Sequence, residues 1–429
     1  MAFYHEMRIG IVLAMRSLHL SQRAVRSSVD MGGAEEYLPA PFEEHEIHAL
    51  LDSISLGQPL SIQPLKVTAA FHAIYILTYD SKVLLEKLRT STTSVSTSVS
   101  TTDLVLRISG DHIPGIKTEN EAAVLSWLRQ NTTVPVPEVI CYNATTSNPL
   151  RREFIILSRC PGVTISDIYD ELSPEKLDSI LRQLMKILVE IHAHPFDTIG
   201  GLVQKDDGKI VPGPVLDEHF WFLPDIPKYF DSSKETFDSL NVKGPFFSYT
   251  AYTIALMEKY IHVAQVQPSL GFLHKHIPRL TAFVDVLPKH AAVLDNAPIR
   301  LAHKDLHFAN ILYDPAQDLI TGVLDWEFAG TVPFPRWDPV RAFLWNSKPG
   351  DASLKEKYRL RDRFAELCRE EGAEFLLQDA EFTSDLQEKV HLVTNMMRIM
   401  TTLVPRGQFV DRVPEFEEDL VRGLEAFGV

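Results

Sequence analysis

The residue pattern predicts an α+β fold of two unequal lobes, a small β-rich one followed by a large, mostly helical one. Three observations carry this. Apolar runs of strand length occur at residues 62–66, 73–79, 104–108 and 154–157, all before residue 160. Long amphipathic patterns at 173–193, 244–264 and 270–294 fill the region beyond. A dense polar stretch, His303-Lys304-Asp305-Leu306-His307-Phe308-Ala309-Asn310, is followed by Leu324-Asp325-Trp326-Glu327 inside the helical part.

Residues 41–56 open on glutamates and read as a helix ahead of the sheet. The Ser/Thr-rich run 91–102 interrupts the strands and is expected to be a mobile surface loop. Residues 118–130 form a helix with Ala122, Leu125 and Leu128 on its buried side, and the Val134-Pro135-Val136-Pro137 run ends it and leads into another strand. Pro161-Gly162 then breaks the chain. Residues 195–243, rich in Pro, Gly and Asp, read as extended surface loops. Further helices are expected at 354–371, 379–402 and 414–427. The organisation is therefore an N-terminal extension (1–40, disordered or targeting), a lobe over 41–158 and a lobe over 159–429.

A chain of 429 residues with 45% hydrophobic and 9% aromatic content can bury a substantial core. Its 42 Lys+Arg against 57 Asp+Glu leave −15, which disfavours nucleic acid as a partner. That balance suits a cationic small substrate, although a solvated acidic face accounts for it more simply. Cys141, Cys160 and Cys368 show no paired spacing, as in a reducing compartment without structural disulfides. No apolar run approaches the ~20 residues of a membrane span. Residues 1–30 carry Arg8, Arg16, Arg23, Arg26 and several serines against only Glu6 and Asp30, a composition similar to a mitochondrial presequence. A cytoplasmic protein with a disordered extension is the simpler expectation.

Phosphoryl transfer from a nucleotide needs an aspartate to take or orient the acceptor hydroxyl proton, plus an amide oxygen and a carboxylate to hold magnesium. Asp305, Asn310 and Asp325 are those residue types in that order. Residues 310–313 and 318–324 read as two arms of a hairpin turned by Asp314-Pro315, which would bring Asn310 and Asp325 together at its open end. His303 would brace the loop.

This combination resembles the signature of aminoglycoside phosphotransferases (APH) and choline-kinase-like enzymes, a branch of the protein-kinase-like fold. The layout is similar to the APH-domain group of fungi, over roughly residues 55 to 345. The resemblance implies a small-molecule phosphotransferase moving the γ-phosphoryl of ATP (or GTP) onto a hydroxyl, with Mg²⁺ as cofactor and a small-molecule hydroxyl compound as partner. It implies that the 41–158 lobe binds nucleotide. Arg107 stands where a phosphate-clamping lysine is usual, and Glu121 is its natural helix partner. Backbone atoms of Ser158 and Cys160 would meet the adenine edge, and Asp338 would support the catalytic loop. The phosphate-covering loop near residues 66–75 lacks glycine, Ala69 and Ala70 standing there instead. Acceptors in this family include aminoglycosides, choline, ethanolamine, homoserine and sugar-amine conjugates.

Competing readings remain. The glycine-free loop and Arg107 suit a catalytically weak or inactive kinase-like scaffold. His303, Asp305 and His307 could instead be metal ligands of a hydrolase. Phe246, Phe247 and Tyr249 could form an aromatic box for a quaternary amine or belong to the core. Trp326 and Glu327 either shape the acceptor site or pack beneath it. His192 and His194 read as helix-end residues.

Overall fold

The computed structural model describes residues 37–65, 71–88, 100–337 and 351–429. The extension before residue 37, Ala69 and Ala70, most of the Ser/Thr-rich run and Asp338 lie outside the described residues. A five-stranded antiparallel sheet forms the small lobe, ordered β1-β2-β3-β5-β4 from β1 (Ser61–Pro64), β2 (His72–Asp80), β3 (Thr101–Ser109), β4 (Val139–Asn143) and β5 (Phe154–Ser158). β5 lies between two cores. Phe154 and Ile156 join the apolar cluster shared with helix α1 (Glu44–Ser53), and Ile155 and Leu157 join the cluster shared with the helical lobe. Burial on both faces explains why this strand reads as an unbroken apolar run instead of alternating.

Between β3 and β4 the chain forms helix α2 (Ile116–Asn131), which carries both Glu121 and Asn120. Helix α3 (Pro174–His192) follows the lobe junction, capped by Ser173 and presenting Leu177, Ile180, Leu181, Leu184, Leu188 and Ile191 at helical spacing to the core. Gly162, just before it, is conformationally required. Its φ is +106°, and a Cβ there would sit 2.6 Å from Thr321 Oγ1 and 2.8 Å from Tyr313 O.

Two sequence expectations for the helical lobe are corrected. Residues 195–243 are not surface loops throughout. They contain a hairpin of β7 (Gly201–Gln204) and β8 (Ile210–Gly213), and Val215, Leu216, Phe220, Trp221 and Phe222 are buried. The apolar cluster around Trp221 outweighs the turn-forming residues beside it. The single helix expected over 270–294 is broken into Pro268–His276, Ile277–Val286, Leu287–His290 and Ala291–Leu294. Pro278 and Pro288 sit in the first turns of new segments, because a proline ring cannot continue a helix interior. A long helix α4 does run over Tyr249–Val266, and the C-terminal helices are α5 (Asp351–Glu370), α6 (Asp385–Arg398) and α7 (Val413–Glu425). No helix among the described residues is long and apolar enough to cross a membrane. The three cysteines are free.

The expected hairpin is present. β10 (Ile311–Asp314) pairs with β11 (Leu319–Val323), and the two-residue strand β6 (Val163–Thr164) adds to the other edge of β10. The Asp314 carboxylate accepts the backbone N–H groups of Ala316 and Gln317 at 2.8 and 3.2 Å, which closes the turn.

One buried side chain joins the parts. Asn120 donates to the carbonyls of Glu327 (3.0 Å) and Ala329 (2.8 Å) and accepts the N–H of Leu202 (2.7 Å). Asn120→Ala would leave buried backbone groups unpaired and is expected to lower the unfolding free energy by about 2–4 kcal/mol. Urea denaturation measures this, and a loss under about 0.5 kcal/mol would show that these bonds do not hold the junction.

Candidate active site

Asp305 lies in the loop after β9 (Ile299–Ala302), and Asn310 lies directly before β10. His303 holds this loop with both ring nitrogens. Nε2 donates to Leu324 O at 2.7 Å, and Nδ1 accepts the N–H of Asp305 at 3.3 Å. With both nitrogens engaged, and its ring 4.3 Å from that of Trp326, His303 has no lone pair for a metal. Among the described residues no group of three His, Cys, Asp or Glu side chains is arranged around a metal position. The histidine–aspartate hydrolase reading therefore loses its donor set.

The hairpin sets the remaining geometry. Leu324 N–H donates to Asn310 O at 2.8 Å, so Asn310 and Asp325 flank the open end of the β10–β11 pair. Asn310 Nδ2 donates to Asp305 O (2.9 Å) and Asp305 Oδ2 (3.3 Å), which fixes the loop aspartate and turns the amide oxygen to other use. His307 Nε2 lies 3.4 Å from Asp305 Oδ1. Burial pulls the His307 pKa down, but the Asp305 hydrogen bond and the Asp305 and Asp325 charges outweigh it and raise the pKa overall. The side chains of Asp305 and Asp325 are each 36% exposed, as groups meeting a ligand must be. Lys304 (φ 71°) and Asp325 (φ 65°) both hold left-handed backbone despite having a Cβ. Such local strain concentrates at functional loops, where the surrounding structure enforces it.

Arg107 on β3 completes the cluster. It contacts Glu121 of α2 directly through Nη1, Asp325 Oδ1 through Nη2 at 2.7 Å, and His72 Nδ1 at 3.3 Å. One planar fork thus serves two carboxylates, a task that a lysine ammonium performs poorly. Burial alone would favour the neutral base, but Glu121, Asp325 and Glu327 hold the guanidinium charged. Burial pushes the Glu121 carboxyl up to about 7, against the pull of Arg107. The direct contact favours the ionised pair.

Other sequence readings resolve individually. Trp326 is buried with Nε1 donating to Val323 O at 2.9 Å, and Glu327 is buried with Oε2 at 3.3 Å from His112 Nε2 and 3.6 Å from His72 Nε2. Both pack beneath the site and do not face an acceptor. Phe247 is 80% exposed while Tyr249 is buried, so the three aromatics form no box. His192 ends its helix hydrogen-bonded to Asp379 at 2.8 Å. Ser158 N–H already donates to Glu138 O at 2.8 Å, which leaves its carbonyl as the group available to a ligand. Cys160 lies beside Gly322, and burial pushes its thiol up to about 11, so it is not a reactive thiolate. Sequence reasoning missed His72, His112 and the Lys117–Glu153 ion pair at 2.9 Å. None of them belongs to a recognisable spacing, and tertiary packing alone assembles them.

The family described as phosphotransferase enzyme family (APH) matches residues 88–375. The chain belongs to this family. A subtelomeric hrmA-associated cluster protein of Aspergillus fumigatus is 24% identical over 257 residues, covering 50% of each chain. The clavilactone A biosynthesis cluster protein Y of Ampulloclitocybe clavipes is 28% identical over 239 residues, covering 52% of this chain and 53% of its own. The chain spans about half the length of these curated relatives. Among solved structures, ADP-bound aminoglycoside phosphotransferase APH(2'')-Ib aligns with a TM-score of 0.48 at 13% identity, over 90% of this chain and 99% of that one. The described residues of this family member build a two-lobed α+β architecture, a five-stranded antiparallel sheet followed by a mostly helical lobe.

Arg107→Met tests the buried cluster. Without its cation, Glu121 would be held at a still higher pKa in the folded state than its unfolded value near 4.3. Stability from such a carboxyl is full below the unfolded pKa and is lost as pH rises through the folded one. The deficit of the variant relative to wild type should therefore widen by about 1 kcal/mol or more from pH 5 to pH 8. Melting curves across that range check it, and a deficit that narrows would disprove the assignment.

Proposed function

We propose that this protein transfers the γ-phosphoryl group of ATP, or GTP, to a hydroxyl of a small molecule. The observation that carries the reading is the convergence at one hairpin mouth of Asp305, Asn310 and Asp325, with Arg107 tying that mouth to the sheet. Asp305, exposed and oriented by Asn310, is the base or orienting acceptor for the substrate O–H. The alcohol oxygen forms its bond to the γ-phosphorus as the bond from phosphorus to the ADP oxygen breaks. The proton passes to an Asp305 carboxylate oxygen and ADP departs.

The donor set fits magnesium. Asp325 has one carboxylate oxygen on Arg107, and no hydrogen bond among the described residues takes the other; Asn310 has its nitrogen spent and its amide oxygen unbonded. Hard oxygens of these two kinds suit Mg²⁺, which when bound supplies charge neutralisation to the phosphates. Arg107, steadied by Glu121, is placed for the nucleotide phosphates, and the Ser158 carbonyl with the Cys160 N–H for the nucleobase edge. His303 positions the loop.

The contact between Arg107 and Asp325 also gives the weakly active scaffold reading its one structural support, because the guanidinium occupies a carboxylate oxygen that a metal site would use. MgATP separates the two. It should raise the melting temperature by several degrees in wild type and in Asp305→Asn alike, while Asp305→Asn lowers turnover by about 10³-fold or more. No stabilisation by MgATP would reject the phosphotransferase reading in favour of the scaffold. Unchanged turnover in Asp305→Asn would remove that residue from the mechanism.

A further inference from the structure

A cavity of about 110 Å³ opens beside Asp305, walled by the segment around Asp217, by α4, by the residues around Arg336 and by α6. Its polar groups are lopsided. Arg398 and Asn395, one turn apart on α6, are 7% and 5% exposed. Arg398 Nη2 and Nε both donate to Asn395 Oδ1, at 2.7 and 3.2 Å. That pairing leaves Arg398 Nη1 and Asn395 Nδ2 as buried donors with no partner among the described residues. Arg336 Nη1 and Trp337 Nε1, on the same cavity wall, are likewise buried with no partner among the described residues.

The buried Arg107 and Arg406 also leave their Nε without a partner among the described residues, but each faces a carboxylate: Arg107 faces Glu121 and Asp325, and Arg406 faces Asp225 at 2.8 Å. Among the described residues neither Arg398 nor Arg336 has a carboxylate within 4.0 Å, and Arg336 rests instead over the Tyr252 ring at 5.1 Å. An unpaired buried guanidinium is costly, and unmet N–H groups add to that cost. A ligand that brings acceptor oxygens would relieve both.

The acidic members of the cavity offset this only in part. Asp217 Oδ1 accepts the backbone N–H and the ring Nδ1 of His219, each at 2.9 Å. Burial pushes its carboxyl up, but the His219 bond and charge, with Lys304, hold it well below the usual carboxylate range, so it stays charged while pairing with neither guanidinium among the described residues. Glu218 keeps 28% of its side-chain surface, but that surface lines the cavity; burial, with Asp305 and Asp217 nearby, pushes its carboxyl up to about 8, which disfavours its charged form. Lys304 adds a further basic group, donating to Leu216 O at 2.6 Å, although burial lowers its pKa.

We propose that the acceptor is a small alcohol carrying an anionic group, a carboxylate or a phosphate, which Arg398, Asn395 and Arg336 hold while its hydroxyl meets Asp305. This rests on the phosphotransferase reading and narrows it. The chain is acidic overall, but the cavity beside the reacting aspartate presents buried donors. Guanidinium forks match the paired oxygens of either group.

The test uses the full chain with and without MgADP, and thermal shift against glycerate, glycerol 3-phosphate, glycerol and choline. Glycerate or glycerol 3-phosphate should stabilise the protein at concentrations where glycerol and choline do not, and the stronger of the two identifies the anion. Arg398→Met should weaken that binding at least about tenfold while keeping the MgADP shift, and its own melting temperature without ligand should match or exceed that of wild type. Arg398→Lys, which keeps the charge without the fork, should fall between. Stronger binding of choline or glycerol, no binding of either anion, anion binding unaltered in Arg398→Met, or a markedly lower melting temperature of that variant would each overturn the proposal. Anion binding that persists with no MgADP shift would instead count against the phosphotransferase reading and leave the anion site standing.

Discussion

The structure depends on neutralising one buried cation. Arg107 sits on the central strand β3, where water cannot solvate its charge, and that charge is balanced where β3, α2 and the Asp325 loop meet. Each partner comes from a different part of the chain, so the requirement to balance this charge also fixes the geometry of the lobe junction. Asn120, one residue before Glu121, reinforces the arrangement by donating to the carbonyls of Glu327 and Ala329 and accepting the N–H of Leu202. The same helix thus supplies an electrostatic and a hydrogen-bonded tie. Lowering the local dielectric strengthens both, provided every partner is present.

Around that junction the chemistry divides into two half-sites. On the sheet side lie Arg107, Glu121 and the strand end at Ser158, the residues proposed to face the nucleotide. On the helical side lie Asp305, Asn310 and the cavity bounded by α4 and α6. The hairpin of β10 and β11 stands between them, with Asn310 and Asp325 at its mouth. His303 and Trp326 underpin it from below, packed against each other at a tilt and bonded to backbone, so the loop is held by its own side chains.

Local signals in the sequence were faithful where the chemistry was local. The strands of the small lobe, the β10–β11 hairpin, its Asp314 turn and the helix after Ser173 were legible because period, capping and turn residues act within a few positions. The broken helix at Pro278 and Pro288 was legible too, and was misread because apolar spacing was given more weight than the proline rings. The buried His72, His112 and Glu327 group was not legible, since nothing in the spacing of three residues so far apart announces a contact. The cavity donors were hidden for a related reason. Arg398 and Asn395 read as an ordinary polar pair on a helix face, and only the surrounding burial shows that their outward donors meet no water. Net charge does not reach that level either, because it averages over a surface and says nothing of one enclosed wall.

The span between Arg107 and Asp325 has a consequence for biosynthesis. The two are 218 positions apart, so a ribosome finishes the five-stranded sheet long before Asp325 is made. In that interval β3 holds its guanidinium against Glu121 and His72, and the nascent small lobe lacks the Asp325 contact. Competence therefore arrives late and all at once, when the hairpin docks. A truncated product ending before it would retain a sheet without a working centre.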